Sequence, residues 1–182
     1  MTRYVALLRG INVGGRSTIP MAELRALFAD LGFGDARTYL QSGNVVFGPA
    51  HPDADEIGAE VEKAVAGRFG TDVRVLLRTA DELDEVASAN PFLDRQDDPT
   101  KLHVTFLAGE PTEFTVPAGP LPVPAGESGE LWLRGREVYV HTPGGYGRSR
   151  IGNAFLEKAL GVPATSRNWR SVLALRDLAR DG

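Results

Sequence analysis

Residues 110–129 hold five prolines and three glycines. Proline lacks the amide hydrogen that a helix interior needs, and glycine loses the most backbone entropy on ordering. No helix runs through such a stretch, so it reads as a long irregular connection. The residues before it set out a pattern that the residues after it can repeat only with one helix missing.

The first 78 residues read βαββαβ. "RYVALLR" (3–9) is a buried strand. "MAELRALFADL" (21–31) places Met21, Leu24, Phe28 and Leu31 at helical spacing, behind Pro20 and closed by Gly32. "ARTYLQ" and "NVVFG" are strands joined by the tight turn "SG". Asp53 and Glu56 make a capping box for a helix that buries Ile57, Val61, Val65 and Phe69 and ends at Gly70. "VRVLLR" (73–78) is the last strand. Thr79 with Glu82 caps a further short helix that Asn90-Pro91 ends.

"PFLDRQDDPT" (91–100) reads as a linker, rich in proline and aspartate. Beyond it come the strand "KLHVTFLAG", the irregular connection, the hairpin "ELWLRGREVYVHT" turning near Gly135, a helix around Phe155–Leu160 that closes at Gly161, a short strand "ATSRN" and the amphipathic helix "WRSVLALRDLAR". The inner face of that last helix carries Trp169, Val172, Leu173 and Leu175 or Arg176. The fold class expected is α+β: two ferredoxin-like, split βαβ units in tandem, residues 1–90 and 101–182, the second with its first helix replaced by the proline- and glycine-rich loop and followed by a C-terminal helix.

This topology decides which loops are neighbours. In a split βαβ unit the first two strands run parallel with the third between them, so the exit of strand one lies beside the turn from strand two to three. "RGINVGG" (9–15) should therefore sit beside "QSGN" (41–44). In the second half, "TPGGYGRSR" (142–150) should share an edge with "SRNW" (166–169).

Charge points to that second edge. Residues 1–130 carry 11 basic and 20 acidic side chains, a balance of −9, while residues 131–182 carry 9 and 4, a balance of +5. The basic groups there are almost all arginine, suited to gripping carboxylate or phosphate with paired hydrogen bonds. Asn168 is placed to cap the final helix, whose start offers free amides and a partial positive charge. Arg148, Ser149, Arg150 and Arg167 would gather around it, with Trp169 as a stacking face. The alternative is that Asn168 only caps, Trp169 only packs and the arginines are solvated or paired. On the first edge, Arg9, Asn12 and Asn44 are candidate ligand contacts, or else loop hydrogen-bonders beside Gly14 and Gly15. The glycines there match neither GxGxxG nor a Walker loop.

Other chemistry finds little footing. His51, His103 and His141 lack metal-ligand spacing, so no metal and no cofactor is expected. His141 is near Ser149 in sequence, but no carboxylate is evident to orient it for a hydrolytic triad. The aromatic stacking motif of RNA-recognition domains is absent from "NVVFG". With no cysteine, no segment of membrane-spanning length and a strand pattern directly at the start, the reading is a cytoplasmic protein without a signal peptide.

Two blocks, "LLRGINVGG…IPMAELRALFADLGF…TYLQSGNVVF" and "GRSRIGNAFLEKALGVPATSRNWRSVLAL", resemble the bacterial family catalogued as domain of unknown function 1697. The matching positions are Arg9 to Gly15, Gln41 to Asn44, Gly147 to Ser149 and Thr165 to Trp169, and the divergent stretch is 108–130. The resemblance implies an α+β protein with paired ferredoxin-like units. It implies no activity, cofactor or catalytic residue. The leading functional expectation is binding of a small anionic or phosphorylated ligand, with nucleic acid kept among the candidates. The alternatives are an enzyme acting on such a ligand, with Ser149 or a loop asparagine taking part, and a structural or oligomeric module that pairs through a sheet face or edge.

Overall fold

In the computed structural model, which describes residues 2–15, 18–49, 51–111 and 118–181, strand β1 (Tyr4–Leu8) is buried along its whole length. It is apolar without alternation because it lies between two neighbours in its sheet and is covered on both faces. The protein is α+β, with two antiparallel sheets and five helices among the described residues. The chain divides into two units, residues 1–85 with 174–182 and residues 86–173.

The first unit continues with α1 (Met21–Asp30), β2 (Gly34–Thr38), β3 (Asn44–Gly48), α2 (Ala54–Phe69), β4 (Val75–Thr79) and the start of α3 (Ala80–Ser88). Its sheet runs β2-β3-β1-β4, every pair antiparallel. Leu24, Leu27 and Phe28 of α1 are buried, and the Phe28 ring meets Phe47 edge-on at 4.9 Å. Asp53 accepts from the amides of Asp55 and Glu56 at the start of α2, and Gly70 closes it at φ 64°. Thr79 and Glu82 form a reciprocal capping box on α3.

The second unit holds β5 (Leu102–Leu107), β6 (Gly119–Leu121), β7 (Glu130–Arg134), β8 (Glu137–His141), α4 (Asn153–Leu160), β9 (Ala164–Asn168) and the start of α5 (Trp169–Arg180). Its sheet runs β6-β7-β8-β5-β9, again antiparallel throughout. One core gathers Leu107, Leu131, Leu133, Val138 and Val140 of the strands against Leu156 and Leu160 of α4.

Three local expectations are corrected. β2 ends at Thr38, because Leu40 takes φ 55°, so the link to β3 is longer than a two-residue turn. The proline-rich connection contains a strand, β6, whose Pro120 is tolerated because it lies on a sheet edge; residues 112–117 of that connection lie outside the described residues. Residues 91–100 carry local structure, with Phe92 buried and a 3-10 turn at Pro99–Lys101, although Leu93, Asp94, Arg95, Asp97 and Thr100 are exposed.

The outer strands are guarded. On β4, Glu62 accepts the Val75 amide at 2.8 Å and Arg78 Nη1 donates to the Leu77 carbonyl. On β9, Glu157 accepts the Ala164 amide at 2.8 Å and Arg167 Nη1 donates to the Ser166 carbonyl. β2 slips register between Gly34 and Arg37, where Asp35 at φ 55° pairs with Arg3 and Arg37. Such devices keep an edge from templating another strand. No helix among the described residues is long and apolar enough to cross a membrane.

Candidate functional site

The register of the second sheet assembles the site. His141 stands opposite Leu102 and Asn168 opposite His103, so the ends of β8 and β9 both lie at the start of β5. The loop leaving β8 is tied down there. The Thr142 amide donates to the Lys101 carbonyl, and Lys101 Nζ donates to the Pro143 carbonyl. Gly145, at φ 96°, lets the chain turn into the short 3-10 turn Tyr146–Arg148. The Tyr146 ring stacks on His103 with centroids 4.0 Å apart.

Burial pushes the His103 imidazole down to about 4, and its Nδ1 is buried with no hydrogen-bond partner. Behind this pair, Ser166 Oγ donates to Asn153 Oδ1 at 2.7 Å and lies 2.6 Å from Thr105 Oγ1.

Glu127 is the residue that organises the loop, and the sequence reading missed it. Its carboxylate accepts from the Arg150 amide, the Ser149 hydroxyl and Arg150 Nε. Those bonds hold its carboxyl below the usual carboxylate range. Arg150 Nη2 also donates to the Ala125 carbonyl. A cleft of about 60 Å³ opens beside this arrangement, lined by Ser128, Gly129, Thr142, Gly144, Gly145, Arg148 and Ser149 together with Glu127. Arg148 is exposed, and while its amide donates to the Gly145 carbonyl, its guanidinium makes no hydrogen bond or ion pair with any described residue.

The four arginine-edge candidates therefore part company. Arg148 and Ser149 line the cleft, and Arg150 is committed to Glu127. Arg167 is not at the surface: it is 7% exposed and bonded to Thr165 Oγ1 and the Ser166 carbonyl. Strand alternation turns it to the sheet face opposite Ser166, and burial pushes its guanidinium down to about 10. Asn168 caps α5 by accepting the Ser171 amide, and Trp169 is buried.

In the first unit the two loops do meet. The Leu8 amide donates to the Gly43 carbonyl, and Asn12 Nδ2 donates to the Gln41 carbonyl at 2.7 Å. Asn12 also exchanges two bonds with the Ile19 backbone. Asn44 is fully buried and donates to the Tyr39 carbonyl and the Ser42 hydroxyl. Both asparagines are thus engaged in holding the loops, while Arg9 is exposed and its amide donates to the Arg74 carbonyl. Val13 and Leu40 are exposed on the same loop pair.

A carboxylate does orient His141, against the sequence reading: Glu130 Oε2 lies 3.1 Å from Nδ1. Counting across the β7–β8 hairpin would have found this pair, because a turn at Gly135 and Arg136 sets Glu130 opposite His141. Nothing local announces Glu127. Among the described residues no group of three or more His, Asp or Glu side chains is placed to hold a metal ion.

The model of the family described as "Protein of unknown function (DUF1697)" matches residues 1–139. The match stops short of the 142–150 loop. No curated protein matches. A solved structure described as that of conserved bacterial protein SP0830 from Streptococcus pneumoniae is similar in fold, with a TM-score of 0.68 at 21% identity over 98% of each chain.

Proposed function

This chain belongs to the DUF1697 family of proteins of unknown function, so its role has to be argued from its own residues, and we propose that it binds a small anionic or phosphorylated ligand in the cleft of the 142–150 loop. The observation that carries this reading is Arg148. Its guanidinium is the exposed cation of a cleft otherwise lined by hydroxyls, glycines and the Glu127 carboxylate, and it has no partner among the described residues. Arg150 offsets the charge of Glu127, so no side chain among the described residues balances the charge of Arg148. The Ser128 hydroxyl and the Gly144 backbone amide are the further hydrogen-bond donors that the cleft lining offers to an oxyanion, since the Thr142 amide and hydroxyl both donate to the Lys101 carbonyl. The site is smaller than the three converging arginines Arg148, Arg150 and Arg167 and takes one terminal oxyanion. In the same reading each unit is a ferredoxin-like split βαβ, supported by the strand orders and by the missing first helix of the second unit.

The two alternatives find less support. The Ser149 hydroxyl donates to Glu127, whose lowered pKa makes it a weak base, so Ser149 is poorly equipped as a nucleophile. Pairing through a sheet edge is opposed by the guarded outer strands. The test is calorimetric titration of inorganic phosphate and small phosphomonoesters. Arg148→Ala should weaken the affinity by about 1.5–3 kcal/mol, the scale of a hydrogen bond to a charged group. Equal affinity in wild type and variant overturns the proposal, as does the absence of binding to the wild type.

A further inference from the structure

We propose that His141 is a proton-sensitive latch for the segment that leads into β5. The imidazole is almost wholly buried at the end of β8, with one nitrogen turned to each of two partners. Nδ1 faces Glu130 Oε2 at 3.1 Å, and Nε2 faces Gln96 Nε2 at 3.0 Å. The Gln96 amide is held in one orientation, because its Oε1 accepts the Asp98 backbone amide at 3.0 Å. Its NH2 group must therefore face the ring, and only a bare nitrogen accepts from it. Nε2 thus carries no proton, Nδ1 carries one and donates it to Glu130, and His141 is neutral.

Protonation breaks this arrangement at one point. A proton on Nε2 would set an N–H against the amide N–H of Gln96, two donors with no acceptor. Gln96 must then withdraw or turn its amide over, and turning over takes Oε1 away from the Asp98 amide. Asp98 begins the 3-10 turn into β5, where its carboxylate accepts from the Thr100 amide and hydroxyl. The same segment is held by the Phe92 ring, 5.6 Å from the imidazole, and by Arg95, which pairs with Glu130 at 3.1 Å. The charged groups around His141 are Glu130 from β7 and Arg95 from the 91–95 turn; β5 sets the uncharged Leu102 opposite it. Glu130 keeps its charge in mild acid, since the bond from His141 and then Arg95 hold its carboxyl below the usual range. This device does not depend on the anion site.

The test is NMR on the full chain. In wild type at neutral pH the ring nitrogens should report the Nδ1–H tautomer. As His141 titrates, the Asp98 amide should lose roughly five- to tenfold of its exchange protection, the worth of about one hydrogen bond. Gln96→Ala should raise the His141 titration midpoint, because it removes the donor that favours the neutral ring, and it should abolish the pH dependence at Asp98. An Nε2–H tautomer, a flat Asp98 profile through the wild-type titration, or an unchanged or lowered midpoint in Gln96→Ala would each overturn the proposal.

Discussion

Arg78 in the first unit and Arg167 in the second occupy equivalent places. Each is buried, opposite a valine of the sheet's interior strand, Val5 and Val104. Each donates from Nη1 to the carbonyl of the residue before it, at 2.8 and 3.0 Å. Three residues earlier, Val75 and Ala164 both give their amide to a helix glutamate, Glu62 and Glu157. One residue later, Thr79 and Asn168 cap the helix that follows. The Leu8 and Leu107 amides both donate to a carbonyl of the neighbouring hairpin turn, Gly43 and Arg136, at 2.8 Å. The two units thus repeat one bonding scheme, although they share few residues at the equivalent places.

Arg167 is therefore expected to act on stability and not on a ligand. Arg167→Ala removes a buried charged donor and strands the Thr165 hydroxyl and the Ser166 carbonyl. It should cost about 1.5–3 kcal/mol in urea unfolding, with phosphate affinity unchanged. A loss below about 0.5 kcal/mol, the level of an ordinary surface substitution, would show that the guanidinium is not needed there.

Gly43 carries the contact between the two loops of the first unit. It sits at φ 79°, and a Cβ there would lie 2.8 Å from Ile11 and 2.9 Å from Leu8 Cβ. Gly43→Ala combines left-handed strain of about 1–2 kcal/mol with overpacking of about 1–3 kcal/mol. Chemical denaturation should report a loss of at least about 2 kcal/mol. A neutral result would mean that the loops part easily.

His103 predicts an acid-side loss of stability. The folded imidazole titrates at about 4, while the unfolded one titrates near the ordinary imidazole value of 6.5. Between those values the unfolded chain binds more protons, so stability falls as pH drops from about 6.5 to about 4 and is flat above that window. His103→Phe keeps a ring against Tyr146 and removes the titrating group. Its stability profile should fall less steeply than that of wild type across the window, and parallel profiles would rule out His103 as a source of the loss.

What the residues announced on their own was local. Asp53, Thr79 with Glu82, and Asn168 each bond a backbone amide two or three residues away, and Gly70 and Gly161 close helices through their own backbone freedom. Such signals need no knowledge of the rest of the chain. The strand and helix order followed from apolar periodicity, and the meeting of the 9–15 and 41–44 loops followed from strand direction. Leu40 and β6 were missed for opposite reasons: one is a bulky residue in a conformation it disfavours, and the other is a proline-bearing edge strand that exists only because β7 offers it a partner.

The fate of each charged side chain was decided by tertiary structure. "ATSRN" alternates whichever face is buried, so nothing within it says that Arg167 turns inward and Ser166 does not. Glu127, in a proline-rich stretch with no periodicity, becomes the partner of Ser149 and Arg150 only when the chain is folded back across 22 residues. By the sequence alone the chain was an α+β protein with a basic final third; which arginine lines a cleft without a partner among the described residues was settled by packing, because burial and pairing of a charge depend on groups distant in sequence.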